Sequence, residues 1–206
     1  MRDANGSAIA LGKQSAGTLL SGQVINNTVG VSGTLDSGSK TGNGIFVSAS
    51  GGGTVATTIK GNQIHQIHGN CHIYADNTGG SYAANFTIEG NTLDTWQGTN
   101  FAGIAITNGA PSSTDTVNVC AKIGGTTAAE KNTLNLTGNL GVIVGASGAA
   151  AGHTFNLPTY AGGANLTNVQ NFIQGNNSGS FTTSAYTDAP VTASAFTGTG
   201  TGCPTP

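Results

Sequence analysis

One short pattern returns four times along this 206-residue chain: apolar-x-(Gly/Asn)-Asn-x-apolar. It reads Val24-Ile25-Asn26-Asn27-Thr28-Val29, Ile59-Lys60-Gly61-Asn62-Gln63-Ile64 and Ile88-Glu89-Gly90-Asn91-Thr92-Leu93, with a degenerate copy at Ala129-Glu130-Lys131-Asn132-Thr133-Leu134. A period of this kind means one supersecondary unit, stacked on its neighbours because it cannot bury its apolar face alone. A short apolar strand precedes each copy, at residues 8–11, 44–47, 72–75 and 103–106, and a fifth lies at 141–144. Taking Ile9, Ile45, Ile73, Ile104 and Val142 as equivalent gives spacings of 36, 28, 31 and 38. A third strand follows the pattern at 64–67, 93–96 and 134–136.

Three strands per repeat, with loops that vary and a strand order that does not, describe a coil. Stacked coils pair each strand with its equivalent one layer on, at roughly 4.8 Å. Asn27, Asn62, Asn91 and Asn132 then fall in the same tight bend, where Asn tolerates a left-handed backbone. Each amide is placed to donate to the asparagine one layer away, giving an Asn ladder. A meander or sandwich would use Gly-Asn merely as a turn dipeptide. Four copies in register with the apolar strands favour the ladder.

Composition narrows the function classes. Charged residues are 7% of the chain, against roughly 25% in an ordinary domain. A nucleic-acid binder needs a basic footprint, and Arg2 is the only arginine in a chain of net charge −2. No apolar run reaches the 18–20 residues of a spanning helix, so the chain is not expected to cross a membrane. Leu, Glu and Lys are too scarce for a helical bundle. The Val, Ile and Thr content argues against disorder. What remains is all-β and turn-rich, with a near-neutral surface common outside the cell. Met1-Arg2-Asp3 leads into polar sequence with no apolar signal region, so Met1 reads as an introduced start or the chain as a piece of a longer secreted one.

The apolar-x-Gly-Asn-x-Ile unit resembles the repeats of right-handed parallel β-helix (β-solenoid) proteins of pectate-lyase-like architecture, over about residues 7–147. The tail is similar to the closing module of large secreted bacterial β-helix surface proteins. The residues that carry this are 117–124, Lys131-Asn132, 155–163 and the terminal Gly202-Cys203-Pro204. The resemblance implies about five coils over 1–151 and a C-terminal cap over 152–206. It also implies a non-enzymatic, extracellular structural or adhesive role at a bacterial surface or in a surface filament, with no cofactor. After residue 152 the repeat breaks. Leu166, Val169, Phe172 and Ile173 form a helical face over about 164–175, with Asn165 as N-cap and Gly175 as stop. Such a helix covers the end of the stack. From Asn176 the chain is expected to lie extended along the coils, anchored by Phe181, Tyr186, Val191 and Phe196. No comparable cap precedes Ser7, so the first coil should dock on preceding coils of a longer chain or on another copy.

Three cysteines leave at least one unpaired within the chain. Cys120 with Cys203 would staple the tail onto the coils, and the resemblance leans the same way. Cys71 is expected as a buried, inert thiol. His65, His68 and His72 form HxxHxxxH, a metal pattern on a helix. Here they straddle a strand, a bend and a strand, so they read as turn and surface histidines. A carbohydrate-binding or polysaccharide-cleaving β-helix module is the alternative function, and cleavage needs clustered carboxylates or a basic proton acceptor. The eight acids are scattered, although Asp76 and Asp115 both follow first strands. Exposed aromatics suit glycan contacts, with Tyr74, Tyr82 and Trp96 as first candidates and Phe101 and Tyr160 behind them. An ice-binding face would need regular outward Thr-x-Thr rows, which Thr57-Thr58, Thr87 and Thr116 do not supply. SxxK at 37–40 and Gly51-Gly52-Gly53 lack the context of a nucleophile or phosphate loop.

Overall fold

The computed structural model describes residues 1–14, 17–77, 80–96, 101–109, 116–147, 153–188 and 191–206. In chain order the elements begin with β1 (Ile9–Lys13), β2 (Thr18–Ile25), β3 (Thr28–Val29), β4 (Ile45–Ala49), β5 (Gly53–Lys60) and β6 (Gln63–Ile67). The middle of the chain forms β7 (Ile73–Asn77), β8 (Tyr82–Glu89), β9 (Thr92–Trp96), β10 (Ile104–Asn108) and β11 (Val117–Ile123). It ends with β12 (Thr133–Ala146), β13 (Thr154–Asn156), α1 (Leu166–Gly175), β14 (Ser178–Thr187) and β15 (Phe196–Thr197).

The protein is predominantly β, and its strands form two parallel sheets. The first runs β1-β4-β7-β10-β12-β9-β6-β3 with β14 also on β12; the second runs β15-β13-β11-β8-β5-β2. Every pairing within them is between strands of different repeats. Ile9, Ile45, Ile73, Ile104 and Val142, equivalent by sequence, are register partners in that order. Strand alternation turns them inward with Val47, Ala75, Ile106 and Val144, where they meet Ile59, Ile88, Phe86 and Val119 of the second sheet in one core. Ile64, Leu93 and Leu134 complete it from the third strands.

Two differences from the sequence expectation stand out. The strand at 134–136 and the apolar segment 141–144 are one element, β12. Only residues 137–140 separate them, and the chain runs through them as strand, with register shifts against β14 between Asn135 and Val142. The tail also does more than lie along the repeats: β13 adds to β11, β14 to β12 and β15 to β13, all in parallel. Phe181, Val191 and Phe196 are buried as anchors, while Tyr186 is half-buried on the outer face. α1 begins at Asn165, whose side chain accepts from the Asn168 N–H, and buries Val169 and Ile173. At the other end β1, β2 and β3 are the outermost strands, and Leu19 there is 65% exposed. No helix among the described residues is long and apolar enough to cross a membrane.

Candidate functional site

The four repeat asparagines come together as a hydrogen-bonded row beside the core. Asn27 Nδ2 donates to Asn62 Oδ1 at 3.1 Å, Asn62 Nδ2 to Asn91 Oδ1 at 2.9 Å and Asn91 Nδ2 to Asn132 Oδ1 at 2.9 Å. Each Oδ1 also accepts the backbone N–H of the preceding asparagine, at 2.9 to 3.0 Å. The second Nδ2 hydrogen of Asn62, Asn91 and Asn132 goes to the carbonyls of Val24, Ile59 and Ile88. These three residues are fully buried, so the row satisfies backbone groups that water cannot reach.

The bend geometry corrects one expectation. The left-handed residue is not the ladder asparagine but the one before it: Asn26 (φ 56°), Gly61 (φ 65°) and Gly90 (φ 62°). A Cβ on Gly61 would lie 2.4 Å from Asn26 Oδ1, the end of a side chain that can turn aside, so it is the left-handed φ, adopted by Asn26 itself one repeat away, that favours glycine there. The row also has a member that the sequence pattern missed. Asn132 Nδ2 donates to Asn177 Oδ1 at 2.8 Å, and Asn177 Nδ2 donates to the carbonyls of Ile173 and Ile123. The Asn176-Asn177 pair repeats Asn26-Asn27, but Gly179 stands where the template wants an apolar residue.

Cys120 of β11 is disulfide-bonded to Cys203, with Cα atoms 5.6 Å apart, which ties the last residues to the second sheet. Cys71 is a buried free thiol, and burial pushes it up to about 12. The three histidines do not gather on one centre: His65 and His72 meet at Asp94 and are buried, against the surface expectation, while His68 stands apart with Asp36. His65 Nδ1 lies 2.6 Å from Asp94 Oδ1, His68 Nδ1 3.0 Å from Asp36 Oδ1, and His72 Nε2 3.1 Å from the Asp94 carbonyl. Burial, the dominant cause, pushes His72 down to about 4, against the pull of that carbonyl. No group of three His, Cys, Asp or Glu among the described residues could hold a metal ion.

Two clefts are lined by charged side chains. His65 lines one of about 490 Å³ with Arg2, Ser32 and Gln63. With its Nδ1 on Asp94, which also accepts from Ser32 Oγ at 3.2 Å, the His65 Nε2 is the nitrogen left for the cleft. The second, of about 300 Å³, lies on the outer face of the second sheet between Thr58, Thr87 and the Cys203 tail. There Lys122 bridges Glu89 (2.5 Å) and Glu130 (2.8 Å), and Lys60 reaches Glu89 at 3.3 Å. Acids that are scattered in sequence are thus gathered, but on lysines. The Lys122 bond holds Glu130 down to about 2, so it is a carboxylate and not a proton donor at neutral pH.

Comparison with protein-family models, with curated proteins and with solved structures finds no match.

The aromatic candidates divide. Tyr74 faces outward from β7, between Phe46 and Phe101. Tyr82 is not a surface residue: it is buried in the core, and its hydroxyl donates to the Ala49 carbonyl at 2.8 Å. The alternation of β8 sends Tyr82 inward with Ala84 and Phe86. Tyr160 is buried against Phe172 of α1. Trp96 ends β9, and its side chain lies outside the described residues, as does Asp115.

Proposed function

We propose that this chain is a non-enzymatic, extracellular structural or adhesive module, built as a right-handed parallel β-helix of the kind found in bacterial surface proteins or filaments. The observation that carries the reading is the asparagine row, continuous from Asn27 to Asn177 and buried over most of its length. Such a row fixes the register of successive repeats and suits a rigid, protease-resistant stalk. The parallel register of both sheets and the aligned apolar columns support the coil. The Cys120–Cys203 bond supports an oxidising compartment. The outermost strands β1, β2 and β3, with Leu19 and Ile25 exposed, suit docking against preceding coils or another copy.

A second reading, polysaccharide cleavage, is favoured by one observation: the Asp94-supported imidazole of His65 at a cleft that also holds Arg2. Incubation with a polysaccharide panel that includes polygalacturonate separates the two. The structural reading expects neither reducing ends nor unsaturated products. Product release that disappears in His65→Ala, or in Asp76→Ala, would establish the enzyme instead.

A further inference from the structure

The outer face of the first sheet carries a short row of aromatic rings. Alternation along β4 and β7 sends Ile45, Val47, Ile73 and Ala75 inward and leaves Phe46 and Tyr74 outward. Phe46 and Tyr74 are register partners, with ring centroids 5.6 Å apart. Phe101, in the segment leading into β10, continues the row edge-on at 6.4 Å and is 42% exposed. The column runs on past Tyr74 through its register partners Ala105 and Ile143, which are buried with Cys71 and Ala102 in an apolar cluster separate from the main core, with Tyr74 and Tyr186 packed against it. The next outward column of the same strands is polar. Ser48, Asp76 and Thr107 are in register there, one hydrogen-bonding side chain per strand. Tyr186 lies across Gly145 at the end of that column.

We propose that this face binds a neutral glycan, with the C–H face of its pyranose rings on Phe46, Tyr74 and Phe101 and its hydroxyls on Ser48, Asp76 and Thr107. The two parallel columns, one apolar and one polar, match the two chemical sides of a sugar. The strand repeat of roughly 4.8 Å is close to the length of one sugar unit in an extended polysaccharide. The rings are bordered along one side by that polar column, so a ligand lying across both columns must offer an apolar face and hydroxyls together. No outward residue of β4, β7 or β10 is Lys or Arg, and Asp76 and Asp188 sit beside Tyr74 and Tyr186, so an acidic glycan would be repelled. Burial raises both phenols above their ordinary value, which keeps them hydroxyl donors.

The proposal rests on the adhesive half of the function proposed above and names its ligand class. Its test is calorimetric titration of the full chain with cellohexaose, chitohexaose, mannohexaose and laminarihexaose, and with a galacturonate oligosaccharide as acidic probe. At least one neutral hexasaccharide should bind. Phe101→Ala and Tyr74→Ala should each weaken that binding by about tenfold or more, the usual effect of truncating a stacking anchor. Phe101 is exposed, so its variant keeps the parent's melting temperature, which separates lost binding from lost folding. Binding of none of the four, unchanged affinity in Phe101→Ala, or tighter binding of the galacturonate probe overturns the proposal. None of these outcomes bears on the asparagine row, whose failure is read by melting and not by titration.

Discussion

Replacing Asn91 by alanine removes four side-chain hydrogen bonds at once. Its Oδ1 accepts from the Asn62 N–H and Asn62 Nδ2, and its Nδ2 donates to Asn132 Oδ1 and to the Ile59 carbonyl, all at 2.9 Å. The alanine leaves the Asn62 backbone N–H, one Asn62 amide hydrogen and the Ile59 carbonyl without those partners. Asn62 and Ile59 are fully buried. Each unsatisfied buried group costs about 1–3 kcal/mol, and with partial relaxation we expect a loss of about 4 kcal/mol. For a chain of this length that corresponds to roughly 8–16 °C in melting temperature. Asn27→Ala is the internal control. Asn27 donates to Asn62 Oδ1 and to the Ile25 carbonyl, but it is exposed, so water replaces both bonds at a cost of about 1 kcal/mol or less. Urea unfolding followed by far-ultraviolet circular dichroism measures both, with unchanged m-values as the check that one transition is being compared. If the two variants lie within about 1 kcal/mol of each other, burial does not set the strength of the row and the reasoning fails.

Three further outcomes are expected. Cys203→Ser opens a loop closed over 83 residues of sequence separation, which in the chain-entropy account lowers stability by about 4–5 kcal/mol; the variant and the reduced parent should show the same urea midpoint, below that of the oxidised parent. His72 is held at about 4 in the fold against an ordinary value near 6.5, so the unfolded chain takes the proton first. Its contribution is therefore whole above about pH 6.5 and is lost as pH falls toward 4, by about 3 kcal/mol; urea midpoints across that range should slope less in His72→Leu, and an equal slope would discount the residue. Gly198→Ala places a Cβ 1.6 Å from the Tyr160 carbonyl oxygen, so β15 should detach from β13 and the tail, which has Ala and Val but no Lys or Arg, should become cleavable by elastase-like proteases while the parent resists.

The parts of the fold legible in the sequence are those where one physical requirement recurs in one residue type. The inward column from Ile9 to Val142 and the asparagines from Asn27 to Asn132 each repeat because every layer needs the same group in the same place. The tail hid its strands because Ser, Thr and Ala occupy the registers that Val and Ile hold elsewhere. Thr183 is opposite Val142 and Ala185 opposite Val144, so no apolar period announces β14. Asn177 was missed for the same reason. Tyr82 was misplaced because its side depends on where β8 starts, which the Gly-rich approach does not specify. The contacts of Glu89 with Lys122 and of His65 with Asp94 join repeats about 30 residues apart, and loops of unequal length conceal such registers.

The asparagine row has a direction. Each Nδ2 points toward the next repeat and each Oδ1 toward the previous one, so the amide dipoles add along the stack. Its positive end falls at Asn177, and there it meets the carbonyl of Ile173 in the last turn of α1, the negative end of the helix dipole. The helix is thus electrically matched to the row as well as shaped to cover it. The end at Asn27 presents the opposite pole, an amide oxygen. A segment that extends the row from that side must arrive with N–H groups leading, and a helix that closes it must approach by its N-terminus.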